Sequence, residues 1–195
     1  MAGPAPQIAP EHIGFDFDGV IADIGEAFIR LACTKYGHSD LKLEQISSFQ
    51  VEQCLNMERS TIEQIFADIL RDSIGTKLRP IAGAVESLKR LSRHSPVAII
   101  TARPELGPVS DWLRLHCGVE AERIKLVSSG HHDHKESFIR QHNILYFVDD
   151  RLTTCLMLAE SGLKPLVFAQ PWNSDRHDLP SVNSWREILD LIDLN

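Results

Sequence analysis

Two carboxylates one residue apart stand near the start of this chain, in Ile13-Gly14-Phe15-Asp16-Phe17-Asp18-Gly19-Val20. The residues before them are apolar and predict a strand, and alternate strand residues point the same way. Asp16 and Asp18 therefore leave the strand on one side of the chain. Gly19 then permits a sharp backbone turn. Two acids this close repel each other unless a cation or a shared proton lies between them. Such an arrangement is a poor device for stability and a good one for metal-assisted chemistry. A solvated turn at a strand end is the plainer alternative for this run taken alone.

The run does not stand alone. Pro96-Val97-Ala98-Ile99-Ile100-Thr101 is a short apolar stretch that ends in a hydroxyl. Leu145-Tyr146-Phe147-Val148 is another, and it ends in Asp149-Asp150. Lys135 opens the helical stretch before it. Four carboxylates need cations. Hard oxygens without His or Cys among the candidate ligands favour Mg²⁺, which keeps waters and binds a few carboxylates together with substrate phosphate. With Thr101 and Lys135 added, the set fits phosphoryl transfer, in which negative charge on the phosphoryl oxygens must be neutralised.

The elements that must position these groups alternate. Ile24, Ala27, Phe28 and Leu31 recur at helical spacing, and Tyr36-Gly37 closes that run. From Leu41 to Arg79 no strand pattern appears, and Ser60-Thr61-Ile62-Glu63 reads as a capping box opening a helix. From Pro80 onward helices and strands alternate, with strands at 96–101, 124–127, 145–148 and 165–168. Ser184-Trp185-Arg186-Glu187 is a second capping box before a last helix. Strands alternating with helices imply parallel βαβ units and an α/β fold. In such sheets ligands bind beyond the carboxyl ends of the strands, where all these side chains fall. The expected domains are a core of residues 12–22 and 80–195 and a small helical module, 23–79, inserted after the first strand.

In order and context these pieces resemble the haloacid dehalogenase-like hydrolase superfamily. Its pattern is DxDG[TV], a Ser or Thr ending the second strand, a later Lys or Arg, and an acidic pair at the fourth. The resemblance implies a three-layer Rossmann-like parallel sheet of order 5-4-1-2-3, with the helical insert as a cap. It implies Asp16 as nucleophile and Asp18 as the acid and base, with Thr101, Ala102, Arg103 and Lys135 around the transferring phosphoryl group. Asp16, Asp150 and the Asp18 carbonyl would serve the metal, with Asp149 bonding a metal-bound water, or with the roles of the acidic pair exchanged. Members that cleave carbon–halogen bonds lack an acid at the place of Asp18, so its presence favours phosphatase or phosphotransferase chemistry. Ile99-Ile100-Thr101-Ala102-Arg103-Pro104-Glu105, Phe147-Val148-Asp149-Asp150-Arg151 and Gln170-Pro171-Trp172-Asn173 are similar to the 5′(3′)-deoxyribonucleotidase-type branch. That similarity implies nucleoside monophosphates as substrates. Ser174 departs from it, because a basic residue is expected after the Asn. A phosphotransferase or mutase, and an idle binding protein on the same fold, are the alternatives.

Other residues carry plainer expectations. Arg103 either contacts substrate or forms a cap-closing salt bridge, and Arg151 neutralises the acidic pair. His131, His132, Asp133 and His134 form a solvated loop rather than a metal site, with a place at the active-site mouth left open. Trp112 and Trp185 are core, and Trp172 packs on the surface. Of Phe28, Phe49 and Phe66, two are core and one faces a pocket.

Composition bounds the rest. The 195 residues suffice for one core with a small module. A net charge of −7 argues against nucleic-acid polymers and anionic membranes as partners, and leaves a small phosphorylated substrate. Cys33, Cys54, Cys117 and Cys155 form no CxxC pair and read as small buried groups. No apolar run reaches the roughly 20 residues of a membrane span. Met1 to Glu11 has no basic start and reads as a loose lead-in, not a secretory signal. The expectation is a cytoplasmic monomer or homodimer.

Overall fold

The structure, a computed structural model, describes residues 7–174 and 177–194. Six parallel strands form one sheet in the order β3-β2-β1-β4-β5-β6. They are β1 (Ile13–Phe15), β2 (Val97–Thr101), β3 (Ile124–Ser128), β4 (Tyr146–Asp149), β5 (Lys164–Phe168) and β6 (Ser181–Val182). The first five follow the expected order, and β6 extends the β5 edge. Its two residues are too short a run for any sequence period to register.

Helices cover both faces. Leu88 of α3 (Ala84–His94), Trp112 of α4 (Gly107–Cys117) and Ile188 of α7 (Trp185–Asp190) join Ile13, Phe15, Ile99 and Val148 in one core. Ile139 of α5 (Lys135–Gln141) and Leu158 of α6 (Leu152–Glu160) join Ala98, Ile100 and Phe147 in the other. Neighbouring strand residues thus serve opposite layers, and for that reason the strands read as continuously apolar.

The insert leaves and rejoins the sheet at one place. Ala22 bridges Pro80, the Asp23 amide donates to the Arg79 carbonyl at 2.8 Å, and the Ile81 amide donates to the Ile21 carbonyl at 2.8 Å. Between these strands of chain lie α1 (Ile24–Tyr36), two short 3₁₀ turns and α2 (Arg59–Arg71). Asp23 caps α1 by accepting from the Glu26 amide at 2.9 Å, and Gly37 ends it in the left-handed conformation. The Phe28 and Phe66 rings pack 4.9 Å apart, and Lys35 pairs with Asp68 across the two helices.

Two local expectations are corrected, and a third holds in part. α2 starts at Arg59 with Glu58 as its uncapped leading residue, so Ser60 is already helical. Glu63 does not reach back, because it pairs with Arg59 one turn earlier at 2.7 Å. At α7 Ser184 does accept from the Glu187 amide, while the Glu187 carboxylate takes the Asn183 amide at 2.8 Å. The lead-in is fixed from Ile8, which is buried and pairs with Leu191 and Asp193 near the other terminus. Its first six residues lie outside those described.

Candidate active site

The register of the sheet assembles the site. Phe15 pairs with Ile99 on one side and Val148 on the other. The next residue along β1 is Asp16, which therefore stands level with Asp149 and one step short of Thr101. This is also where strand order reverses, since the chain goes from β1 towards β2 and β3 and then returns to β4 on the opposite side. Crevices form at such reversals in parallel sheets.

Lys135 occupies the centre. It is the first residue of α5, and its side chain is fully enclosed. Its ammonium lies 2.9 Å from Asp16 Oδ2 and 2.7 Å from Asp149 Oδ2. Burial alone would lower the Lys135 pKa, but Asp149 and Asp16 together hold it above the ordinary value. Asp16 Oδ1 accepts from the Phe17 amide at 2.7 Å, and Asp149 Oδ1 accepts from the Arg151 amide at 2.9 Å.

Asp150 is positioned by residues far along the chain. Trp172 Nε1 donates to Asp150 Oδ2 at 2.7 Å, and Asn173 Nδ2 donates to the Asp150 carbonyl at 2.7 Å. Gly19 has φ +74°, and a Cβ there would fall within 2.5 Å of the Asp150 carboxyl carbon. Only glycine serves at that position. Gln170 Nε2 donates to the Gly19 carbonyl at 2.7 Å, tying the same loop to the turn after β1.

Ligand atoms of Asp16, Asp149 and Asp150 lie within 4.8 Å of one another, all three buried. One ammonium cannot balance three carboxylates. Burial pushes Asp16 up to about 7, and the repulsion of Asp149 and Asp18 adds to it against the pull of Lys135. Burial, with repulsion from Asp149 and Asp16, raises Asp150 well above its ordinary value. A surplus of buried negative charge on hard oxygens is the environment a divalent cation relieves. The donor set therefore fits such an ion.

Asp18 sits apart from this trio. Its two carboxylate oxygens accept from Arg103 Nη2 and Nε, each at 2.7 Å. Arg103, expected at the substrate or in a cap-closing salt bridge, also donates to Ser73 Oγ at 2.8 Å in the insert. Thr101 is buried, and its Oγ1 accepts from the Arg103 amide at 3.2 Å. Asp16, Asp18, Thr101, Ala102 and Arg103 form the floor of one cavity of about 310 Å³.

Residues of the insert and of two loops form its walls, and here the expectations needed correction. Phe28 and Phe66 are the two packed in the core, as expected, and with the exposed Phe49 all three also border the cavity, along with Ile24 and Leu70. Trp172 lines it too instead of packing on the surface. His132 turns inward, edge-on to the Phe49 ring at 5.3 Å, while His131 and His134 stay exposed. Burial, with Lys135 and Arg151 nearby, lowers the His132 pKa to about 4. Arg151 does not place its guanidinium on the acidic pair. It pairs with Asp133 at 2.6 Å and stacks over Phe49 at 5.2 Å. The sequence held a signal for Trp172, in the Gln170–Asn173 stretch, but nothing that told its role. For His132 it held none, because three adjacent-looking histidines differ only in which way the loop turns them.

Fold and site define a hydrolase of the haloacid dehalogenase-like class. The fold is similar to that of a haloacid dehalogenase-like hydrolase from Streptococcus pneumoniae, with a TM-score of 0.60 at 14% identity, covering 91% of this chain and 95% of that one. A Lactobacillus plantarum structure described as a candidate phosphoglycolate phosphatase gives 0.58 at 15% identity, covering 95% and 100%. Residues 11–195 match the family model of the deoxy (pyrimidine), cytosolic type C 5′ nucleotidases, and the chain belongs to that family. A protein of Oceanobacillus iheyensis described as a candidate nucleotidase is 23% identical over 185 residues, covering 90% of this chain and 96% of that protein. The protein is thus an enzyme of the phosphatase type. Among the described residues no helix is long and apolar enough to cross a membrane.

Proposed function

We propose that this enzyme is a Mg²⁺-dependent phosphomonoesterase that works through an aspartyl-phosphate at Asp16 and takes nucleoside monophosphates. The observation that carries the reading is the trio Asp16, Asp149 and Asp150, buried around a single lysine. Asp150 and Asp16 would hold the ion, with Asp149 beside them tied to Lys135 and to the Arg151 amide. When bound, the cation offsets the repulsion between an anionic nucleophile and an anionic ester.

The chain's own residues supply the steps. An Asp16 carboxylate oxygen attacks phosphorus as the bond to the leaving oxygen breaks. Asp18 gives a proton to that oxygen, and then takes one from the water that attacks the acyl phosphate. Phosphate leaves, and Asp16 is restored. Lys135 orients the nucleophile through its 2.9 Å contact. The segment 23–79 acts as the cap, whose closure excludes other water. Its aromatic walls, Phe28, Phe49 and Phe66 with Trp172, suit a flat base beside the ester. The cytosolic family type and the absence of disulfides among the described residues favour a cytoplasmic enzyme.

The test is phosphate release from nucleoside, deoxynucleoside and sugar monophosphates, with Mg²⁺ or with chelator. Release should require the cation, favour nucleotides, and fall at least about 1,000-fold in Asp16→Asn. A sugar phosphate as the best substrate rejects the nucleotidase reading. Release that survives Asp16→Asn rejects the aspartyl-phosphate.

A further inference from the structure

Arg103 lies two residues beyond β2, and its side chain is 3% exposed. An arginine so enclosed must have its donors satisfied. Its flat head is fixed on three sides. Nε and Nη2 grip the two oxygens of Asp18 in the bidentate geometry that orients a carboxylate most firmly. Nη1 donates to Ser73 Oγ at 2.8 Å and faces the Leu70 carbonyl at 3.5 Å, both at the far end of α2. The guanidinium carbon lies 5.0 Å from the centroid of the Phe17 ring, which sits between the two acids in sequence. The Arg103 carbonyl in turn accepts from Ser128 Oγ at 2.7 Å, so the backbone that carries the side chain is held to β3.

One side chain therefore joins Asp18, the core and the insert, and forms no hydrogen bond or ion pair with Asp16 or the acidic pair. Asp18 is otherwise the loosest of the site carboxylates, 20% exposed where Asp16 is 5% and Asp149 is enclosed. We infer that Arg103 is the positioning residue of the proton donor. It sets the direction of the Asp18 carboxyl group and makes that direction depend on where the end of α2 lies over the core. The inference rests on the reading of Asp18 as the acid. It gives the insert a part in chemistry that its pocket residues do not supply. When the segment around Leu70 and Ser73 seats on the core, Arg103 is pulled taut and Asp18 is aimed at the leaving oxygen.

The experiment compares two esters that differ in their need for a proton. An alkyl phosphate, such as a nucleoside 5′-monophosphate, leaves as a strongly basic alkoxide and depends on the acid. p-Nitrophenyl phosphate leaves as a stable phenolate and hardly does. In Arg103→Gln and Arg103→Lys, kcat for the nucleotide should fall about 100-fold, against about 3-fold for p-nitrophenyl phosphate, with KM little changed. Ser73→Ala, which leaves the grip on Asp18 intact and removes the tether to the insert, should shift the ratio of the two rates the same way, by about 5-fold. Asp18→Asn is the reference and should reproduce the leaving-group dependence in full.

Equal losses on both esters in Arg103→Gln would mark a structural role and overturn the inference. A raised KM with kcat retained would make Arg103 a substrate ligand and overturn it equally. An Asp18→Asn variant that discriminates while Arg103→Gln does not sinks the positioning role and leaves the acid in place. An Asp18→Asn variant that slows both esters alike removes the acid, and the inference with it.

Discussion

Lys135 and His132 respond to burial in opposite directions. Lys135 stays charged because two carboxylates lie within 3 Å of its ammonium. His132 has no such partner, so burial leaves it neutral with a pKa near 4, below the ordinary 6.5. The sign of the consequence follows from linkage. Between about pH 6.5 and pH 4 the unfolded chain takes up a proton that folded His132 refuses, so acidification through this window costs stability. Above the window both states are neutral at this residue, and its contribution is fully present. His132→Gln should therefore show a shallower fall of unfolding free energy with acid than the native enzyme, by a fraction of one bound proton. Urea titrations at several pH values would check this, and identical slopes would refute it. The four acids of the site were legible at this scale because each follows an apolar run. His132 was not, because a ring that turns inward and one that turns outward have the same neighbours in sequence.

Strand and helix periods located each α-helix and strand described in the core except β6, and none of its short 3₁₀ turns. Their ends were less legible, since competition between partners decides them. At α2 the pair Arg59–Glu63 outcompetes the expected box at Ser60, and only packed geometry shows which partner Glu63 takes. The turn after β1 is the element on which the site depends most. Gly19→Ala would force a left-handed alanine, at about 1–2 kcal/mol, and press its methyl group onto Asp150. We expect a loss of about 2 kcal/mol or more in chemical denaturation, and turnover reduced at least about 100-fold, because Asp150 must move. Retention of full activity in Gly19→Ala would show that the turn tolerates the methyl group and that Asp150 is not held against it.

Across the whole molecule, the site sits where the sheet reverses its strand order, and the fold gathers there more negative charge than it neutralises. A bound divalent ion should therefore stabilise the entire fold. At a hundredfold excess over its Kd, Mg²⁺ should add about 2.7 kcal/mol, or roughly 5–10 °C in midpoint for a chain of this size. Differential scanning of chelated and Mg²⁺-loaded protein would measure it, with Asp150→Asn as the comparison. A midpoint that rises equally in Asp150→Asn would place the ion elsewhere.

The order of five strands was implied by the family resemblance, whereas sequence patterns by themselves determined the α/β class, the acid-bearing strand ends and Lys135 among them. Those features repeat over short distances, through alternation along strands, helical spacing and the glycine after Asp18, so a linear reading reaches them. Tertiary structure alone decided that Trp172 reaches Asp150, that Arg103 grips Asp18, that Arg151 turns to Asp133, and that three phenylalanines share one cavity. Contacts of this second kind join residues far apart in the chain, 85 positions for Arg103 and Asp18 and 151 for Gln170 and Gly19. Their partners are chosen by how layers pack and where the insert returns to the sheet, and no local pattern carries that information.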